Sequence, residues 1–140
     1  MDFLQEFNRI METTDNLALA TSVNNVPNVR VVNFYYDTEN QGIVYFASFR
    51  GNTKTLEFLQ NNNVAFTTIP TENSEQIRVT NGRVQKSDLT IYDLKEAFIK
   101  KLPNYEIVIA QAGNMLDVYE IHFKEASVTL DIDKHGKVTF

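Results

Sequence analysis

Val29-Arg30-Val31-Val32-Asn33-Phe34-Tyr35-Tyr36, then Asp37 to Gly42, then Ile43-Val44-Tyr45-Phe46-Ala47, is the stretch that decides the fold. β-Branched and aromatic residues fill both runs, and a polar segment ending in glycine separates them, so each run reads as a strand. Upstream, Leu17 to Val23 reads as another strand, with a turn at Asn24-Asn25 and Pro27. None of the connections is long enough for a crossover helix. The three segments are therefore predicted to form an antiparallel meander.

Working outward, Phe3, Leu4, Phe7, Ile10 and Met11 recur at helical spacing with polar residues between them, which predicts an amphipathic helix. After the meander, Phe49 to Asn52 reads as a loop. A helix follows from Thr53, with Leu56 and Leu59 on one face, and it ends in Asn61-Asn62-Asn63. Val64 to Ile69 is a strand stopped by Pro70, Thr71 to Glu75 a polar loop, and Gln76 to Gln85 a strand with a bulge or bend at Asn81-Gly82. Ser87 to Leu102 is predicted as one longer helix, capped by Ser87 or Asp88, with Leu94, Phe98 and Leu102 along one face and Pro103 ending it. Asn104 to Asn114 reads equally as helix or loop. Val118 to Phe123 and Ser127 to Ile132 are strands, and Asp133 to Gly136 turns the chain into Lys137 to Phe140. About seven short strands in antiparallel runs, with two or three helices, describe a mainly β (α+β) barrel with helices outside, not an alternating βαβ fold. With no repeat, linker or low-complexity segment, residues 1–140 read as a single domain.

Composition narrows the function. A net charge of −5 argues against a nucleic-acid binder, which needs a cationic face, and gives no attraction to an anionic membrane. There is no cysteine, so disulfides, thiolate metal sites and cysteine nucleophiles are excluded. The two histidines, His122 and His135, do not form a ligand pair, so no metal is expected. His122 alternates with Ile121 and Phe123 as an ordinary strand residue would, with a substrate contact as the other reading. No signal peptide or membrane-length apolar run is seen, which leads to the expectation of a soluble cytoplasmic protein.

Two places carry chemistry. Arg30 sits among β-branched residues, and it reads either as a solvent-facing strand residue or as an anion ligand. At Tyr45-Phe46-Ala47-Ser48-Phe49-Arg50-Gly51-Asn52-Thr53-Lys54 a strand ends and a helix starts, leaving backbone N–H groups that suit an anion. Thr53 adds a hydroxyl. Lys54 opposes the helix dipole there, which a bound phosphate would reverse; facing water is its other reading. Together Arg30 and Lys54 suit a near-dianionic phosphate monoester.

The order of Arg30-Val31-Val32-Asn33, Val44-Tyr45-Phe46-Ala47-Ser48, Thr53-Lys54, Leu59 with Asn61-Asn62-Asn63-Val64-Ala65-Phe66, then Gln76-Ile77-Arg78-Val79 and Gly82 resembles the FMN-binding proteins of the pyridoxamine 5′-phosphate oxidase-like family. The resemblance covers roughly Leu17 to Gln85. It implies a six- to seven-stranded antiparallel split β-barrel with flanking helices, and a homodimer with FMN at the subunit interface. It also implies that Arg30 and Lys54 clamp the FMN phosphate with help from Thr53 and Ser48. Backbone groups of Val31, Val32, Asn33, Phe46 and Ala47 would meet the isoalloxazine edge, and Gln76 would reach the ring from the other subunit. The chain departs from the parent oxidases in having no tryptophan, no C-terminal arginine cluster, and Thr53-Lys54 where they have an arginine-lysine pair. Arg50 either supplies the missing cation or is a plain loop arginine. The implied function is an FMN-dependent oxidoreductase acting on a small-molecule substrate, with catalytic side chains unassigned. The alternatives are a non-catalytic flavin or haem binder, a nitro-compound reductase of the nitroimidazole-resistance type, and a β-barrel interaction module without cofactor.

Overall fold

The computed structural model describes residues 1–71 and 73–140. Helix α1 (Phe3–Thr13) leads into strands β1 (Asn16–Val23), β2 (Val26–Asn33), β3 (Tyr35–Tyr36) and β4 (Ile43–Phe49). Helix α2 (Thr53–Gln60) precedes β5 (Asn63–Thr68) and β6 (Gln76–Lys86). Helices α3 (Lys95–Lys101) and α4 (Tyr105–Ala112) and a 3₁₀ turn (Gly113–Met115) precede β7 (Leu116–His122), β8 (Glu125–Asp131) and β9 (Lys134–Thr139). The loop expected over 71–75 includes Glu72, which lies outside the described residues.

The mainly β, antiparallel architecture is as the sequence implies, in a nine-stranded sheet whose main path runs β2-β1-β5-β6-β7-β4-β3. Strand β6 is the branch point. Its first residues pair with β8 (Gln76 with Thr129, Arg78 with Ser127), and its last pair with β7 (Arg83 with His122, Lys86 with Tyr119). Val79 to Gly82 lie between, paired on neither, and this gap is the split in the barrel. On the other edge of β6 the register with β5 shifts between Val64 and Phe66, opposite Val79 to Gly82, which is the bulge expected at Asn81-Gly82. Gly82 belongs there because a Cβ would stand 3.0 Å from the Ile121 side chain and 3.3 Å from Val64.

Several local expectations need correction. The meander is not continuous: β1 pairs with β2, but β4 pairs with β3 and β7. Phe34 is fully buried and its N–H donates to Asp15 O, so the chain turns inward there and Val29 to Tyr36 becomes two strands. The helix expected from Ser87 starts only at Lys95. Ser87 Oγ donates to Glu120 and accepts from Leu89 N–H, while Thr90 and Asp93 exchange side-chain and backbone hydrogen bonds. These local bonds compete with the helical ladder. On α2 the buried face is Thr55 and Phe58; Leu59 is 86% exposed. The ambiguous stretch after Pro103 is mostly helix.

Alternation builds the core. Leu17 and Leu19 of β1, Val44 and Phe46 of β4, Ile77 and Val79 of β6, and Tyr119 and Ile121 of β7 fill the barrel, each such side chain contributing roughly 1.5–3 kcal/mol. Helix α1 closes one opening with Phe7, whose ring meets Tyr36 edge-on at 5.3 Å and lies 5.1 Å from Phe140. The opposite face of β4 and β7 (Tyr45, Leu116, Val118) is covered by Ile91, Phe98, Leu102 and Ile109, so this strand pair is buried on both sides.

Candidate functional site

Arg30 and Lys54 do converge, though not across adjacent strands. Arg30 shares the inward face of β2 with buried Val32, and Leu19 is its partner on β1. Its guanidinium turns towards α2. Nη1 donates to Leu19 O (3.3 Å) and Thr21 Oγ1 (2.8 Å), and Nη2 donates to Glu57 Oε1 (2.6 Å). Lys54 stands one helical turn before Glu57. Its Nζ donates to Ser48 Oγ at 2.7 Å, and Asn52 Nδ2 donates to the same oxygen at 2.7 Å. Ser48 is buried at the end of β4. Burial lowers the Lys54 pKa from its ordinary value, and the nearby charge of Arg30 lowers it further.

The remaining expected residues are placed as follows. Thr53 is exposed at the first position of α2. Asn52 caps the helix by accepting from Thr55 N–H (3.2 Å), which takes one of the free amides of that terminus. The Phe46 side chain is buried, stacked on Tyr119 (5.6 Å) and edge-on to Phe58 (6.0 Å), so only its backbone is on offer. Ala47 packs against the second core cluster. Val31 is 59% exposed on the outer face of β2, Val32 is buried, and Asn33 bonds Asn16 and Tyr105. Strands β2 and β4 touch without pairing, which leaves a seam between them. Gln76 opens β6, separated from β2 by β1 and β5, and does not join this group within one chain. Arg50 does not supply a further cation: it bonds Asp117 through Nε (3.3 Å) and Nη2 (3.1 Å).

Glu57 and Thr21 are the residues that sequence reasoning missed. Thr21 Oγ1 donates to Glu57 Oε2 (3.1 Å), so hydroxyl, carboxylate and guanidinium form one network. The available signal was the Lys54-x-x-Glu57 spacing, which puts both side chains on one face of a helix.

The donor set fits a phosphate monoester. Arg30 and Lys54 are close enough for their charges to interact, only Arg30 is paired with a carboxylate, and three of its five guanidinium N–H directions are already used. Lys54, Ser48 and the rest of Arg30 remain for a ligand. Among the described residues, no helix is long and apolar enough to cross a membrane.

The family described as pyridoxamine 5′-phosphate oxidase-like matches residues 10–135. Among solved structures, a heme binding protein from Mycobacterium smegmatis superposes with a TM-score of 0.77 at 11% identity, over 99% of this chain and 58% of that one. The chain thus spans 58% of that protein's length. A protein from Clostridium acetobutylicum, related to general stress protein 26 of B. subtilis (pyridoxinephosphate oxidase family), gives 0.75 at 12% identity over 99% of this chain and 96% of that one. A FAD-binding protein from Mesorhizobium loti gives 0.64 at 14% identity over 95% and 92%. At such identities the likeness is one of fold. No curated protein sequence matches the chain.

Proposed function

The chain belongs to the pyridoxamine 5′-phosphate oxidase-like family, and from that premise we propose that it binds FMN and works as an FMN-dependent oxidoreductase on a small organic substrate. The convergence of Arg30 and Lys54 over buried Ser48, beside the β2–β4 seam, carries this reading. The FMN phosphate would meet Lys54 Nζ, Ser48 Oγ and the free N–H groups of Arg30, with Thr53 at the rim. The isoalloxazine edge would meet backbone groups of Val31 to Asn33 and of Phe46 and Ala47. The flavin supplies hydride and electron transfer; the chain holds the phosphate, orients the ring and keeps water from one face.

A homodimer with the flavin at the interface completes the proposal. Val29 (64% exposed) and Val31 lie on the outer face of β2, in register with Ala20 and Ala18 of β1 and then Ala65 and Thr67 of β5. Small, mostly apolar side chains in these rows suit a second copy of the sheet, and exposed valines of this kind favour burial. Gln76 of the partner would then reach the ring.

A visible spectrum of protein incubated with excess FMN and desalted is the test. Retention near one FMN per chain, weakened roughly ten- to hundredfold by Arg30→Ala or Lys54→Ala, is the expected result, since each removes a charge-assisted hydrogen bond. Protein that retains no flavin overturns the reading. A Soret band after incubation with haem, without flavin retention, would move it to a haem binder. Reoxidation of the reduced flavin by nitro compounds would move it to a nitroreductase.

A further inference from the structure

A cleft of about 820 Å³ opens where β7 and β8 leave β6, lined by Arg78, Arg83, His122 and Lys124 among others. It does not share a residue with the Arg30–Lys54 group. Its volume is in the range that holds drug-sized ligands.

The charge in this cleft is unusual for so acidic a chain. Arg9 pairs with Glu6 and Glu75, Arg30 with Glu57, and Arg50 with Asp117. Arg78 and Arg83 are the two arginines with no carboxylate partner among the described residues, and both line the cleft. Lys124, also on the wall, has no ion pair among them. The carboxylate on the wall, Glu125, lies 3.2 Å from Lys137, and His122 Nε2 lies 2.7 Å from Glu120. Between the two arginines, Thr80 and Asn81 belong to the stretch of β6 unpaired on β7 and β8, so polar groups lie between the cations. The bulge at this point splays the strand.

We propose that this cleft is a binding site for a small organic polyanion, a ligand carrying phosphate or carboxylate groups, gripped by Arg78 and Arg83 with Lys124 at the rim. Planar guanidinium groups hold both kinds of oxyanion bidentately. Among the described residues, neither arginine has a competing carboxylate to be displaced. Arg78 continues the row of Val31, Ala18 and Thr67, so the cleft borders the proposed dimer face without using a residue proposed to hold the flavin.

Calorimetric titration of the full chain at low ionic strength tests it, with pyrophosphate and citrate as probes. The titrations are repeated in Lys54→Ala, which disables the proposed flavin phosphate site, so failure of one site is not mistaken for failure of the other. One probe ion per chain is expected in Lys54→Ala, weakened about tenfold or more when Arg78→Ala or Arg83→Ala is added. Preference for pyrophosphate identifies a phosphate ligand, and preference for citrate a polycarboxylate. Absence of binding by both probes overturns the proposal. So does binding lost in Lys54→Ala, or weakened as much by the control Arg50→Ala. Loss of a dimer in the Arg78 and Arg83 variants, without probe binding in the parent, also overturns it and assigns these arginines to subunit contact. Exposed arginines such as these are replaceable without unfolding the chain, and an unchanged melting midpoint verifies it.

Discussion

Arg30 and Glu57 stand 2.6 Å apart, with side chains only 19% and 14% exposed, so the proposed phosphate ligand is already held by an internal carboxylate. That carboxylate keeps Arg30 oriented, and it also opposes any anion arriving beside it. Glu57→Gln should therefore tighten FMN binding several-fold while lowering stability by about 1–2 kcal/mol, the effect of weakening a partly buried charged hydrogen bond. Flavin titration and thermal melting read the two effects separately. A loss of affinity instead would mean that holding Arg30 in place matters more than the competition.

Val29 and Val31 offer a test of the proposed dimer. Val31→Asp places a charge in the middle of the apolar rows formed with Ala18 and Thr67. Burying it unpaired costs several kcal/mol. The variant should sediment as a monomer where the parent sediments as a dimer, and it should lose flavin along with the partner's Gln76. An unchanged dimer would place the interface elsewhere.

Lys101 gives the chain a distinctive pH dependence. Its Nζ lies 3.5 Å over the Phe34 ring and donates to Met11 O at 3.0 Å; burial pushes its pKa down to about 8, against the opposing pull of Asp15 and Glu12. Between pH 8 and the ordinary lysine value, the unfolded chain binds more protons at this site than the folded one. Stability from this residue therefore rises with pH across that window, by up to about 3 kcal/mol. Buried Tyr36 and half-buried Tyr105, whose pKa values are raised by burial, act in the opposite sense once phenols ionise. Melting curves from pH 7 to 9.5 should show the parent gaining on Lys101→Met as pH rises. Parallel profiles would mean that Lys101 keeps its ordinary pKa.

Two glycines with positive φ should respond differently to alanine. Gly42 (φ 82°) would place a Cβ 2.7 Å from Phe123 O, whereas Gly51 (φ 78°) has open space around that position. Gly51→Ala should cost about 1 kcal/mol of backbone strain. Gly42→Ala carries that strain and a backbone clash at the turn into β4, and should cost clearly more. Denaturant unfolding ranks the two; equal costs would contradict the close contact.

Much of this architecture is written locally. The spacing of Phe7, Ile10 and Met11 specifies α1, and the β-branched runs specify most of the strands. What escaped is tertiary. The break at Phe34 depends on Asp15 accepting its N–H and on a core that takes the ring, neither visible in Val29 to Tyr36 alone. Helix periodicity over Ser87 to Leu94 was outcompeted by Ser87–Glu120 and Thr90–Asp93 hydrogen bonds, one of them made with a distant strand. On α2 the sequence pattern put Leu56 and Leu59 on one face, whereas Thr55, Phe58 and Glu57 are the side chains that turn inward. The Arg30–Lys54 pairing was legible through the ordered motifs, whereas Glu57 and the Arg78–Arg83 cleft emerge only when the strands are folded together.

Helix α1 meets strands from the far end of the chain: Phe3 covers Gly136, where a Cβ would stand 2.6 Å from its ring, and Phe7 rests against Phe140. During synthesis the helix emerges ahead of the strands that seat it, β3, β6, β8 and β9, so its apolar seat is complete only when β9 has been made. A ribosome-bound nascent chain halted within β7 would therefore leave Phe3 and one side of Phe7 open to chaperones and proteases. The last part of that seat forms late, when β9 pairs with β8 and meets the helix.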